Sequence, residues 1–165
     1  MRLAETKYDN AVTGCCAPLD RDRWDGQRFT WNDKPFVRGH MRAVMHVPLN
    51  FGAVMRRLHA EVAAADAYAE EPLWLTDELS PWGSDVLLAV DRDVPDAVMS
   101  ELSGTFLTKV FEGPYRDAPK WVEEMEDYVA AQGEQVEKIY FFHPTCPDCA
   151  KKLGKNQAVL FARVR

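Results

Sequence analysis

The sequence predicts an α+β fold of two strand-helix-strand-strand units, with an antiparallel sheet, both helices on one face and a ligand cleft between the units. Three observations predict it. Residues 36–47 alternate apolar and polar with period two, and two segments carry apolar residues at helical spacing. The order strand, helix, strand, strand then occurs twice, with Pro48 and Pro114 at matching strand-to-helix junctions. The repeat is one of order and not of residues, since alignment places Met55 near Trp121 and Leu58 near Glu124.

Residues 1–35 carry scattered charge with Gly14, Pro18, Gly26 and Pro35, and read as an irregular N-terminal arm packed on the domain. A single domain follows over 36–165, with units at about 36–91 and 97–165. In the first strand Val37, Gly39, Met41, Ala43, Met45 and Val47 share one face, and Arg38, His40, Arg42, Val44 and His46 the other. Asn50 is the N-cap candidate of a helix whose stripe is Phe51, Val54, Met55, Leu58, Val62 and Ala65, reaching about Ala69. Leu73 to Leu75 and Val86 to Val90 read as strands joined through Ser80, Pro81 and Gly83. Val98 to Leu102 and Thr105 to Glu112 read as strands hinged at Ser103-Gly104. Asp117 and Pro119 open a second helix striped by Trp121, Val122, Met125, Tyr128 and Val129, and Gly133 closes it. Ile139 to Phe142 and Ala158 to Val164 complete the strands.

At 165 residues and 47% hydrophobic the chain can bury a sizeable core, and a formal charge of -6 lacks the basic surplus of a general nucleic-acid or anionic-membrane binder. The expected partner is a small hydrophobic or aromatic molecule, with no nucleic acid and no membrane; a homodimer stays open. No stretch approaches the roughly 18 to 20 apolar residues of a membrane helix, and Met1 to Asn10 is charged where a signal peptide would be apolar. The expected location is cytoplasmic, where four cysteines point to metal or thiol chemistry more than to disulfides. No phosphate loop, serine-hydrolase elbow or zincin motif is present.

The run from Leu102 to Tyr115, ending Glu112-Gly113-Pro114-Tyr115, together with the helix holding Trp121 and closed by Gly133, resembles the GyrI-like (gyrase-inhibitor-like) small-molecule-binding domains, which include the effector-binding domains of multidrug-sensing regulators. That resemblance implies a pseudo-twofold fold whose cleft holds planar, hydrophobic, often cationic molecules between aromatic side chains. It also implies a hydrolase alternative, since some stand-alone members open cyclopropane-bearing toxins, a detoxification. The chain departs from the pattern in its N-terminal arm and its cysteine-bearing segment. Tyr140, Phe141, Phe142 and His143 stand where the family's pocket acid would be.

Trp74, Trp82, Tyr115, Trp121, Tyr140 and Phe142 are the candidate ligand-binding aromatics, and each is also a candidate core residue. Glu112, at a strand end before the Gly-Pro-Tyr turn, is the candidate catalytic base or ligand counter-ion; the alternative is an ordinary surface acid. Cys146 and Cys149 form a C-x-x-C turn that supplies half of a zinc site, and Cys15 and Cys16 would complete it, with His143 able to replace one of them. The competing readings are a redox pair and plain thiols. His40 and His46, six strand residues or roughly 20 Å apart, cannot share an ion. The function expected is a stand-alone binding protein with an aromatic cleft. The alternatives are a hydrolase with an acidic base and a zinc-stabilised interaction domain.

Overall fold

The computed structural model describes residues 21–45, 47–71, 73–144 and 157–165. Its elements are helix α1 (Arg21–Trp24), strands β1 (Gln27–Val44) and β2 (Val47–Pro48), helix α2 (Phe51–Ala64), strands β3 (Trp74–Ser80), β4 (Gly83–Ala89) and β5 (Met99–Glu112), helix α3 (Ala118–Ala131), and strands β6 (Val136–Phe142) and β7 (Gln157–Val164). A 3-10 turn over Tyr115–Asp117 leads into α3. The fold is α+β, and every strand pairing with a described register is antiparallel. The chain divides into two compact units, one over 33–102 and the other over 21–32 and 103–165 among the described residues.

In the first unit the strands lie in the order β2-β1-β4-β3. The alternation of β1 is realised: Val37 and Met41 are buried against α2, while Arg38, His40 and Arg42 on the opposite face are exposed. Helix α2 buries Val54, Leu58 and Val62 on Val37, Met41, Val86 and Leu88. Gly39 permits this approach, because a Cβ there would lie 2.8 Å from Val54 Cγ1. Asn50 stands at the N-cap position without capping the helix by its side chain. Its Oδ1 instead accepts the backbone N–H of Arg42 at 2.9 Å, which ties the helix start to β1.

In the second unit the order is β6-β7-β5. Helix α3 buries Trp121, Met125 and Val129 on Leu107, Phe111, Phe141, Leu160 and Ala162. Pro119 stands in its first turn, and Gly133, at φ +78°, follows its last turn and donates its N–H to the Ala130 carbonyl. Gly113, at φ +146°, makes the turn that aims the chain into α3.

Four expectations need correction. Residues 21–35 are not irregular, since α1 occupies Arg21–Trp24 and β1 begins at Gln27. The first helix ends at Ala64 and not near Ala69, where Asp66 at φ +49° turns the chain out of the helix. Val98 to Leu102 and Thr105 to Glu112 are not separate strands: β5 runs unbroken over Met99–Glu112, because Gly104 at φ +130° bends the strand without ending it. Met45 leaves the alternation at φ +48° and is exposed.

Candidate functional site

The sheet of the second unit has two chemically different faces. Pairing puts Leu107, Phe111, Phe141, Leu160 and Ala162 toward α3, so the residues between them point the other way. On that second face Thr108 pairs with Phe161 and Phe161 with Tyr140, while Val110 pairs with Val159 and Val159 with Phe142. Phe106 continues the face beside Arg163.

Rings from α1 and the start of β1 complete an aromatic cluster here. Trp24 lies 5.1 Å from Phe161 and 6.1 Å from Phe142, both edge-on or tilted. Phe29 stacks on Phe106 at 5.9 Å, and Trp31 lies 4.7 Å from Phe106 and 5.9 Å from Phe161. Tyr140 closes the group 6.4 Å from Phe106. Trp24, Phe106, Tyr140, Phe142 and Phe161 are buried, whereas Phe29 and Trp31 keep partly exposed edges. Tilted and offset rings at these spacings are the favoured aromatic arrangements, and they present both π faces and edges.

Backbone and side-chain bonds hold α1 on this face. The buried Thr108 hydroxyl donates to the Trp24 carbonyl, Gly26 N–H donates to the Thr108 carbonyl at 3.0 Å, and Val110 N–H donates to Asp25 Oδ1 at 3.0 Å. Two cations lie against the rings: the Arg23 guanidinium sits 4.1 Å from the Trp24 ring, and Lys138 Nζ 5.6 Å from that of Tyr140. At the opposite edge from Phe106, Glu112 and Gln157 pair at the end of the same face.

The sequence candidates fall in different places. Tyr140 and Phe142 are in the ring cluster. Trp121 is on the α3 side, stacked on Phe111 at 5.9 Å within the helix-facing core, so its helical stripe decided its fate. Trp74 packs on Phe51 at 5.4 Å in the first unit, and Trp82 stands 60% exposed at the β3–β4 turn. Glu112 is an exposed carboxylate with Arg21 Nη1 at 3.9 Å and Gln157 Nε2 at 3.5 Å. The Tyr115 side chain and Cys15, Cys16, Cys146 and Cys149 lie outside the described residues. Among the described residues no group of three His, Cys, Asp or Glu is placed to hold a metal ion, and no helix is long and apolar enough to cross a membrane. Trp24, Phe29, Trp31, Phe106 and Phe161 are the cluster members that the sequence did not single out; the alternation of Phe29 and Trp31 was the available signal.

A family model for bacterial hydrolases matches residues 6–164. A hydrolase from Listeria innocua superposes with a TM-score of 0.62 at 14% identity, covering 86% of this chain and 92% of its own. The EcmrR C-terminal domain superposes with a TM-score of 0.59 at 9% identity, covering 86% and 98%. EcmrR in a DNA complex gives the same score, with 57% of that chain covered. No curated protein matches the sequence. At these identities the likeness is one of fold.

Proposed function

Starting from the chain's membership of the bacterial hydrolase family, we propose that the ring-bearing sheet face of the second unit binds a flat hydrophobic small molecule. One observation carries this reading: seven aromatic side chains from α1, β1, β5, β6 and β7 converge on one sheet face, while the other face is covered by α3 over a mixed aliphatic and aromatic core. A planar ligand exchanges ring-to-ring contacts for ring-to-ligand contacts of similar strength. In this reading α1, four residues long and held by the Thr108, Val110 and Gly26 hydrogen bonds, is the cover that must shift for Trp24 to yield its place.

Quenching of tryptophan emission by a neutral planar dye tests the proposal. Trp31→Ala and Phe161→Leu should weaken binding by roughly tenfold or more, the scale of a lost aromatic contact. Trp82→Ala should leave it unchanged. An equal loss from Trp82→Ala would move the site out of the second unit.

The family's description favours a second reading, hydrolysis of the bound molecule, for which Glu112 is the candidate base named from the sequence. A structural zinc on Cys15, Cys16, Cys146 and Cys149 is proposed on the C-x-x-C motif alone. The absence of a nucleic-acid partner is proposed on the acidic charge balance alone.

A further inference from the structure

The exposed face of the first unit's sheet carries a side-chain constellation that the aromatic site does not use. His40 on β1 and Asp85 on β4 are directly opposite in register, and His40 Nδ1 lies 2.9 Å from Asp85 Oδ1. Arg38 approaches the other carboxylate oxygen at 3.9 Å. Asp77 stands opposite Asp85 on β3, and Arg42 lies on the face of His40, about 7 Å farther along β1. The carboxylate is largely withdrawn from water, with 18% of its side chain exposed, whereas the imidazole is 57% exposed.

A carboxylate can only accept a hydrogen bond, so Nδ1 carries the proton and Nε2 is left as the acceptor. Asp85 thereby fixes tautomer and ring direction together. Gly83 also contributes: a Cβ at that position would lie 2.9 Å from His40 Cε1 and 3.0 Å from Nε2, so the ring occupies space that only glycine leaves open. The next residue back in the turn is the exposed Trp82, and the N–H of Ala43 donates to its carbonyl at 2.9 Å, which holds the turn against β1.

We propose that His40 is a general base for hydrolysis of aryl carboxylic esters, oriented by Asp85, with Arg42 stabilising the developing oxyanion and Trp82 offering a surface to the aryl group. The proposal rests on the hydrolase reading and gives it a different base from Glu112. Water bonds to the ester carbonyl carbon as His40 Nε2 takes its proton. The tetrahedral oxyanion forms beside a guanidinium whose charge is permanent. Collapse breaks the bond between the carbonyl carbon and the aryl oxygen, and the proton on Nε2 passes to the departing phenolate. Ester and water become acid and phenol, with no other reactant consumed.

The test uses p-nitrophenyl butyrate and the full chain, with the heat-unfolded protein as the control for hydrolysis by loose histidines. His40→Gln should lower kcat by roughly 10²-fold to 10⁴-fold, the range for loss of a general base. Asp85→Asn should lower kcat with KM nearly unchanged, and Gly83→Ala should do the same by displacing the His40 ring without removing any polar group. Diethyl pyrocarbonate, followed by mass spectrometry, should modify His40 faster than His59 or His143, and more slowly in Asp85→Asn. Circular dichroism melts confirm that each variant is folded. If Glu112→Gln abolishes turnover while His40→Gln retains it, the dyad is wrong and the hydrolase reading stands. If the native chain is no faster than the unfolded control, the aryl-ester proposal fails, and the hydrolase reading is then decided by turnover of a cyclopropane-bearing substrate.

Discussion

The buried hydroxyl of Thr108 donates to the carbonyl of Trp24, and the carbonyl of Thr108 accepts the N–H of Gly26. One strand residue therefore binds both ends of the turn that lays Trp24 across the aromatic face. Thr108→Val keeps the shape and removes the donor, leaving a buried carbonyl without its partner. The expected cost is about 1 to 3 kcal/mol by urea denaturation, with Trp24 emission shifted to the red as its cover loosens. Unchanged stability and emission would show that the hydroxyl does not hold the turn.

Both helical stripes should be indispensable within their own units. Leu58 and Met125 have no exposed surface, and truncation of either to alanine should cost roughly 2 to 5 kcal/mol. Chemical denaturation with a folded-state spectrum for each variant measures this directly. A loss below 1 kcal/mol at either position would mean that its stripe packs on nothing.

The Gly39 site predicts overpacking where Leu58→Ala predicts a cavity. A methyl group at residue 39 meets Val54 at 2.8 Å and Arg57 at 2.9 Å, so α2 must move away from β1. Gly39→Ala should destabilise by about 1 to 3 kcal/mol, and Gly39→Ala combined with Val54→Ala should recover part of the loss. Strict additivity of the two substitutions would argue against the contact.

Acid sensitivity has a defined sign and window. Burial beside Phe141 pushes His143 from 6.5 down to about 4, and burial also lowers His59, whose Nδ1 lies 2.8 Å from the Tyr68 hydroxyl. Between those values the unfolded chain holds the His143 proton and the folded chain does not. Stability from this group is therefore complete above about pH 6.5 and declines toward pH 4, by at most about 1.4 kcal/mol per pH unit. His143→Gln should flatten that part of the stability curve. A slope unchanged in this variant would assign the acid sensitivity elsewhere.

The cysteine motif makes a prediction independent of the fold. Protein purified without chelator should contain close to one zinc per chain, and Cys149→Ser should lower it. Metal-free, stable protein with four titratable thiols would dismiss the site.

The helices were legible because a 3.6-residue period survives in Val54, Leu58 and Val62 and in Trp121, Met125 and Val129 whatever the helix packs on. The start of β1 was not, although Phe29 and Trp31 alternate with exposed Arg28 and Thr30. Asp33, at φ +52°, and Pro35 interrupt the pattern, so a strand that continues by backbone pairing looks from its side chains like an arm. Tyr140 and Phe142 were readable as one strand face. Their neighbours Phe161 and Trp24 come from distant segments, and Trp24, unlike Trp121 in its helical stripe, has no local period to show which face it joins. His40 and Asp85 are 45 residues apart, so their pairing exists only once the β1–β4 register is known.

The discontinuity of the second unit bears on the order of events during synthesis. Residues 33–102 are contiguous, so that unit has all its parts once residue 102 has left the ribosome. The other unit must keep residues 21–32 waiting: 84 residues separate Trp24 from Thr108, and 106 separate Arg28 from the Glu134 carboxylate that it pairs with. Its last strand is also the last to emerge, and until Phe161 arrives the tryptophans at 24 and 31 lack their central partner. A nascent chain halted before β7 would therefore carry one finished core and a pair of indoles short of their central partner, the sort of incompletely covered surface that chaperones hold and that aggregates form around.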